Sequence, residues 1–100
     1  MKLGRQGIDL MIVVGGYNSS NTGHLVEISL EFCPAYHVQD ASCILSQSEI
    51  EHKPVHQKDP VRSRDWLPKG PVQAGVTAGA STPNRVIEEV IERILAVRIK

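Results

Sequence analysis

The sequence has few aromatic residues, no long apolar run and nothing at its N-terminus that resembles a targeting signal. Its aromatic side chains are Tyr17, Phe32, Tyr36 and Trp66, so an aliphatic core is expected. No apolar segment approaches the about 20 residues that span a bilayer, and no apolar run follows the basic N-terminal residues. We therefore expect no membrane helix, no signal or transit peptide, and a cytoplasmic location.

Excess charge is also absent, and cysteine is scarce. The chain has 11 Lys and Arg against 11 Asp and Glu, which does not favour nucleic acid or an anionic membrane as a partner. An anion would have to be bound by locally oriented donors. Cys33 and Cys43 are too few for a disulfide framework or a four-ligand metal site, so each is predicted to be a partly buried free thiol.

The 100 residues predict a single domain, 1–100, with strands at residues 8–14, 35–38 and 72–78. The first candidate strand ends in five consecutive apolar residues, a pattern typical of a strand buried on both faces of a parallel sheet. The order strand, helix, strand, irregular region, strand, helix predicts an α/β fold. In this fold a mainly parallel sheet is flanked by helices.

Two helices are predicted, each directly after a strand. The first has Thr22 or Asn21 as N-cap and ends before Pro34, and the second has Thr82 as N-cap and Pro83 at its first position. The apolar face of the first helix is predicted to comprise Leu25, Ile28 and Phe32. The stripe on the second helix is predicted to comprise Val86, Ile87, Val90, Ile91, Ile94 and Leu95.

Residues 51–71 are predicted to form a Pro-rich irregular excursion with little regular structure, held to the body by Trp66 and Leu67. Residues 40–48 before it are compatible with a short helix. His52 and His56 have the spacing of two metal ligands on a helix, but Pro54 lies between them and argues against that helix. A solvated loop is therefore expected there, and a loop of this length in a small domain is often functional.

Two polar turns, at residues 17–21 and 79–83, each follow a predicted strand and open a predicted helix. In open α/β sheets ligands bind beyond the carboxyl ends of the strands, and a helix N-terminus presents unpaired N–H groups and a favourable dipole to an anion. If the first and third strands are neighbours, the two turns meet and can hold one diphosphate. The side chains that can donate hydrogen bonds are Asn18, Ser19, Ser20, Asn21 and Ser81.

Ordinary capping is the alternative interpretation of these turns, because Ser, Asn and Gly are common turn residues. Gly15, Gly16 and Gly79 allow close approach of the backbone, but the Lys of a Walker loop and the spacing of a dinucleotide fingerprint are missing. Tyr17 is interpreted as a packing residue, and His37 as structural. His24, one turn into the first helix, is a candidate supporting residue, with a plain surface position as the alternative.

At these turns the sequence resembles a known family. Residues 9–22, with His24, Leu25, Glu27 and Ile28 after them, resemble one segment of 4-hydroxy-3-methylbut-2-enyl diphosphate reductase. Residues 75–83, followed by residues 86–90, resemble a second segment. Residues 34–36 and 66–68 are also similar to the bacterial and plastid forms. The segments occur in the family's order, and the resemblance covers essentially the whole chain.

The resemblance implies the last step of the non-mevalonate isoprenoid pathway, in which an allylic hydroxyl is reductively removed to give isopentenyl and dimethylallyl diphosphates. It implies a trefoil of three α/β domains around a 4Fe-4S cluster, of which this chain resembles the third, C-terminal lobe. The electron donor would be a ferredoxin or flavodoxin. The family's diphosphate-binding residues carry over to Ser19, Ser20, Asn21 and Ser81, with Asn18, Thr82 and His24 as support.

The chain also departs from the family. The three cluster cysteines, the substrate-contacting histidines and the catalytic glutamate of the family belong upstream of the stretch seen here. Cys33 and Cys43 match none of them, so no catalytic residue and no metal ligand is assigned in this chain. The resemblance therefore implies a C-terminal part that binds the diphosphate and is inactive by itself. The alternatives are a non-catalytic phosphate-binding or interaction module from a truncated gene, and a degenerate remnant that does not fold.

Overall fold

The computed structural model of the chain describes residues 9–55, 57–64, 66, 74–80 and 82–99. Its main sheet contains three parallel strands, β1 (Leu10–Val14), β2 (Ala35–Val38) and β5 (Ala74–Ala78), in the order β2-β1-β5. Val14 is level with Val38 on one side and with Ala78 on the other, so the three carboxyl ends lie at one edge. The predicted α/β class with a mainly parallel sheet is confirmed.

Helices α1 (Ser20–Leu30) and α2 (Asn84–Ile99) lie on opposite faces of this sheet. Leu10, Ile12 and Val14 alternate along β1 and share one buried cluster with side chains of α2. Met11 and Val13 point to the other face, where α1 packs on β1 and β2. The α2 side chains in the cluster are Val90, Ile94 and Val97.

The apolar face predicted for α1 is wrong. The buried residues of the helix are Thr22, Val26 and Ser29, whereas Ile28 is 48% and Phe32 38% exposed. Because the glycine turn holds the start of α1 close to the sheet, small side chains occupy the interface and the bulky ones are directed outward. The helix does end before Pro34, as predicted, but its N-cap is Ser19 rather than Thr22 or Asn21.

The stripe predicted on α2 is confirmed in part. Val90 and Ile94 are buried and Val86 packs against the core, while Ile91 is 39% and Leu95 55% exposed. The core instead takes Val97 from the next turn. The helix therefore has a buried apolar face and an exposed apolar flank beside it.

Residues 49–64 contain an antiparallel hairpin of β3 (Glu49–His52) and β4 (Val61–Arg64), where the sequence predicted an irregular excursion. Two of its four cross-strand pairs are charged, Glu49 with Arg64 and Glu51 with Arg62, whereas Ile50 lies opposite Ser63 and His52 opposite Val61. The Nε atom of Arg64 lies 3.7 Å from a carboxylate oxygen of Glu49, and the imidazole of His52 bonds the hydroxyl of Ser63 at 2.7 Å. Because each strand has one apolar residue, no apolar alternation indicated a strand.

The attachment predicted for this region is confirmed at Trp66, which is 2% exposed and donates its indole N–H to the carbonyl of Ser46 at 2.9 Å. Leu67 and residues 68–71 lie outside the described residues, as does His56. A short 3₁₀ turn at Ala41–Cys43, capped by Asp40, is the short helix expected within residues 40–48. Among the described residues, no helix has the length and apolarity needed to cross a membrane.

Candidate anion-binding site

The two polar turns meet at the carboxyl edge of the sheet, because β1 and β5 are neighbours. The amide of Gly79 donates to the carbonyl of Val14 at 3.0 Å, and the amide of Gly15 donates to the carbonyl of Val38 at the same distance. These bonds hold the second turn against the end of β1 and the first turn against the end of β2. The condition on which the predicted site depended, adjacency of the first and third strands, is therefore met.

Thr22 fills the space between the two turns and is 1% exposed. A methyl group added at Gly15 or at Gly79 would overlap the hydroxyl oxygen of Thr22. Glycine is thus required at both positions because the Thr22 side chain lies so close to the backbone there. The first turn of α1 can therefore pack directly on the ends of β1 and β5. Sequence reasoning treated Thr22 only as a capping candidate, because nothing local shows that two distant turns close on it.

Ser19 caps α1, and its hydroxyl hydrogen remains available to a further acceptor. Its hydroxyl oxygen accepts from the amide of Thr22 at 3.2 Å and from the hydroxyl of Thr22 at 3.0 Å. A serine hydroxyl accepts two hydrogen bonds and donates one, and no acceptor for that hydrogen is found among the described residues. Capping and anion binding, opposed as alternatives in the sequence, are therefore compatible at Ser19.

Ser20 and Asn21 are the first two residues of α1, and both are exposed at the carboxyl edge. The amides of Ser19 and Gly23 are bonded to the carbonyls of Gly16 and Ser19. Within the described part of the chain, no acceptor is found for the amides of Ser20 and Asn21. The structure thus presents two backbone donors at a helix N-terminus. Asn18 lies exposed in the turn before them.

The second turn differs from its prediction at Thr82. Its hydroxyl donates to the carbonyl of Val14 at 3.2 Å, while the carbonyl of Pro83 accepts the first bond of α2 from Val86 at 3.1 Å. Thr82 therefore connects the second turn to the carboxyl end of β1, the strand next to β5. Pro83 precedes the first helical residue, Asn84. Ser81, the ligand predicted from this turn, lies outside the described residues.

His37 and Tyr17 support the first turn from the side of β2. The Nε2 atom of His37 lies 3.0 Å from the carbonyl oxygen of Gly15, and the Tyr17 ring stands edge-on to His37 with centroids 5.1 Å apart. Burial lowers the pKa of His37, hydrogen bonds to the carbonyls of Gly15 and Gly16 oppose that effect, and Lys53 adds to it. His37 is thus a structural residue, as predicted.

Tyr17 packs rather than projecting over the site. Its hydroxyl lies 3.3 Å from the sulfur of the buried Cys43, and burial is the largest cause of its raised pKa, followed by that contact. The packing role predicted for Tyr17 is supported by this position. Cys33 and Cys43 are both free, and Cys33 is half-buried.

A polar cleft of about 140 Å³ adjoins the N-terminal turn of α1 on the side of β2. His24 lies at its mouth with its Nδ1 atom 3.7 Å from a carboxylate oxygen of Glu27, and both side chains are well exposed. The sequence gave no signal of this cleft because its walls come from distant segments. The lining residues are Ser20, Gly23, His24, Glu27, His37, Lys53 and Val55.

The described residues do not form a metal or cluster site. No group of at least three His, Cys, Asp or Glu side chains placed to hold a metal is found among them. Cys43 contacts Tyr17, and the thiol of Cys33 lies 3.9 Å from the carbonyl of Ser29, so the two cysteines have separate surroundings. Neither suits a cluster that needs several thiolates on one centre.

Comparison with known proteins decides the family. The family model described as "LytB protein" matches residues 1–95. The chain belongs to the LytB protein family. It is 50% identical over 99 residues to the 4-hydroxy-3-methylbut-2-enyl diphosphate reductase of Thermosynechococcus vestitus, covering 98% of this chain and 24% of that enzyme. It is 51% identical over 98 residues to the corresponding enzyme of Gloeobacter violaceus, covering 97% and 24%.

A solved structure of a LytB-family member has the same fold. It is that of (E)-4-hydroxy-3-methyl-but-2-enyl diphosphate reductase, described as the terminal enzyme of the non-mevalonate pathway. It superposes with a TM-score of 0.62 at 32% identity, over 90% of this chain and 26% of that one. The resemblance found in the sequence is confirmed, and the chain spans about a quarter of the length of these LytB relatives.

Proposed function

We propose that this LytB-family chain is the C-terminal, diphosphate-binding part of a 4-hydroxy-3-methylbut-2-enyl diphosphate reductase. The supporting observation is the meeting of two glycine turns on Thr22 at one helix N-terminus, where no acceptor within the described residues is found for the amides of Ser20 and Asn21 or for the hydroxyl hydrogen of Ser19. Such a cluster of donors suits a phosphate oxygen. The choice of a diphosphate as the ligand follows from the relatives, which are diphosphate reductases.

The proposed reaction is the reductive removal of the allylic hydroxyl, giving isopentenyl and dimethylallyl diphosphates. A C–O bond is broken, a C–H bond is formed, and water leaves after uptake of two electrons and two protons. The electrons are proposed to come from a ferredoxin or flavodoxin through a 4Fe-4S cluster held by the upstream region, in a cytoplasmic enzyme. This chain binds and orients the diphosphate and is inactive by itself.

Isothermal titration calorimetry with pyrophosphate tests the diphosphate site. Ser20→Ala and Ser81→Ala are each expected to weaken binding by about tenfold to a hundredfold, because each removes one hydrogen bond to a charged group, worth about 1.5–3 kcal/mol. Ser48→Ala is the matched control, since Ser48 is an exposed serine on another loop. Unchanged affinity in both site variants would exclude the site.

A non-catalytic phosphate-binding or interaction module is the second candidate, favoured by the absence of a metal-binding group among the described residues. The two candidates differ in what the gene encodes upstream. An in-frame upstream region with three cysteines supports the reductase, and a stop codon in frame ahead of Met1 supports the module. Both candidates predict pyrophosphate binding, so calorimetry and upstream sequencing answer separate questions.

A further inference from the structure

The two turns of the proposed anion site contain no cationic side chain. Residues 15–22 and 79–83 include neither Lys nor Arg, so a bound anion meets only amides and hydroxyls there. The polar cleft beside the start of α1 has three basic side chains in its wall, His24, His37 and Lys53. Ser20 belongs to both places, because it lines the cleft and its amide has no acceptor among the described residues. Charge in the cleft therefore acts on an anion at the start of α1.

His37 has one ring nitrogen bonded to the first turn. Its Nε2 atom lies 3.0 Å from the carbonyl oxygen of Gly15, and a carbonyl oxygen only accepts hydrogen bonds. Nε2 therefore carries the hydrogen, and in the neutral imidazole the free lone pair is on Nδ1. No hydrogen bond to Nδ1 is found within the described part of the chain, and the ring lines the cleft. Nδ1 is thus the atom at which His37 can take up a proton.

The His37 ring contacts the first turn at two places. One is the bond to Gly15, and the other is the edge-on contact with the ring of Tyr17, whose centroid is 5.1 Å away. Between these contacts the turn is closed by the amide of Ser19, which donates to the carbonyl of Gly16 at 3.0 Å. Protonation at Nδ1 leaves Nε2 donating to Gly15 and strengthens that bond, because its donor becomes charged. The protonated ring therefore keeps the turn in place and adds a positive charge beside it.

The surroundings of His37 keep its ring neutral in the free protein. Burial is the largest cause of its lowered pKa, and the positive charge of Lys53 acts in the same direction. The amide of Lys53 also donates to the carbonyl of His37 at 3.0 Å, which fixes this segment beside the ring. A negative charge at the start of α1 acts in the opposite direction, because it favours the imidazolium.

The other groups around the ring come from the first turn, β1 and α1. Tyr17 is neutral near pH 7, because burial raises the pKa of its phenol. The β1 residue level with His37 is Val13, which has no charge. On α1, His24 and Glu27 line the cleft as a pair, 3.7 Å apart. His24 is therefore the second group in the cleft whose protonation has to be measured.

We propose that His37 is a proton-linked positioning residue of the anion site, and that diphosphate binding at the start of α1 draws a proton from solvent onto its Nδ1 atom. The step forms one N–H bond and converts the neutral ring to a cation, and nothing is oxidised or reduced. The imidazolium offsets part of the diphosphate charge while Nε2 continues to donate to Gly15. Since linkage is reciprocal, protonation strengthens diphosphate binding by the factor by which diphosphate favours protonation. This inference rests on the proposed function.

Two-bond proton–nitrogen NMR of the imidazoles in the full 100-residue chain tests the proposal. His37, whose signals are assigned by their loss in His37→Gln, is expected to be the Nε2–H tautomer in the free chain. Saturating pyrophosphate is expected to raise the pKa of His37 by about one unit, because the opposite charge favours the cation. His52 is the internal reference, since its pKa is also lowered by burial but it bonds Ser63 in the hairpin. An unchanged pKa of His37, or an equal shift at His52, overturns the proposal.

Calorimetry with pyrophosphate at pH 8 and pH 5 gives a second readout. Glutamine in His37→Gln has an amide that can donate to Gly15 but takes up no proton. The ratio of the affinity at pH 5 to that at pH 8 is expected to be about threefold to tenfold higher in the unchanged chain than in His37→Gln. His52→Gln is the matched control and is expected to follow the unchanged chain. The ionisation of pyrophosphate is common to the three proteins, and circular dichroism verifies that each is folded at both pH values.

The two measurements separate the proton linkage from the proposed function. Pyrophosphate binding with the same pH profile in the unchanged chain and in His37→Gln rejects the linkage and leaves the diphosphate site in place. Absence of pyrophosphate binding rejects both. A raised pKa at His24 without one at His37 also overturns the proposal, because the proton is then taken up at the mouth of the cleft.

Discussion

Thr22 lies between the two halves of the candidate site. Its hydroxyl donates to Ser19 and lies where a side chain at Gly15 or Gly79 would have to be. Thr22 therefore couples the N-cap of α1 to the ends of two strands. Its β-branched shape supplies both the hydroxyl and a methyl group in one small volume.

His37 makes the stability of the domain depend on pH. Burial lowers its folded-state pKa below the usual value of about 6.5, so between these values the unfolded state binds more protons than the folded one. Stability is therefore highest above about pH 6.5 and declines as the pH falls through that value towards the folded-state pKa.

The measurement compares urea midpoints at pH 8 and pH 5 for the unchanged chain and for His37→Gln. Glutamine can still donate to the carbonyl of Gly15 but does not titrate, so the variant is expected to lose less stability between the two pH values. The pKa of His52 is also lowered by burial, but His52 is present in both proteins and so does not account for a difference between them. An equal loss in both proteins would show that His37 does not titrate as described.

At the scale of the secondary-structure elements, Ser19 caps α1 and is the residue at which capping and the proposed diphosphate binding can be separated. Ser19→Ala removes the oxygen that accepts from Thr22 and is expected to cost about 1 kcal/mol of stability. Ser19→Asp keeps a cap acceptor and brings a negative charge to the site. Its expected result is near-unchanged thermal stability with at least about tenfold weaker pyrophosphate binding.

Differential scanning calorimetry and pyrophosphate titration of both Ser19 variants give the two readouts. Ser48→Asp is a charge control, because it places a carboxylate at an exposed serine on a loop outside the two turns. If Ser19→Asp binds pyrophosphate as well as the unchanged chain does, Ser19 is a cap alone.

Several elements could be predicted from local pattern, and others could not. β1 was recognisable from its unbroken apolar run, and α2 from Pro83 and the spacing of Val90 and Ile94. The β3–β4 hairpin has one apolar residue in each strand, Ile50 and Val61, which leaves no apolar alternation to recognise. The buried face of α1 was misassigned because Ile28 and Phe32 are more apolar than Thr22 and Ser29, yet the narrow space above the sheet admits only the smaller pair.

At the scale of the whole molecule, the domain is proposed to supply one part of the chemistry, the binding of the diphosphate. The described residues place backbone hydrogen-bond donors at the carboxyl edge of the sheet, and no cluster of metal ligands is found among them. Cys33 and Cys43 lie in separate surroundings. We therefore expect that, in the longer family members, this domain binds the diphosphate and the upstream region carries out the reduction.

Anaerobic reconstitution with iron and sulfide tests this division. The isolated chain is expected to show no stable charge-transfer absorption near 400 nm and no stoichiometric iron, because a 4Fe-4S cluster requires several thiolates on one centre. The intact reductase of Gloeobacter violaceus serves as the comparison sample. A full, stable cluster on this chain alone would contradict the prediction.

The sequence by itself determined the parallel α/β class, the two glycine turns and the identity of their donor side chains. Those features depend on local properties: apolar runs, helix periodicity, and the backbone freedom and hydrogen-bonding groups of Gly, Ser and Asn. Only the tertiary structure decided that β5 lies beside β1 and that Thr22 closes the space between the turns. Those features depend on contacts between residues far apart in the chain, which no local pattern encodes.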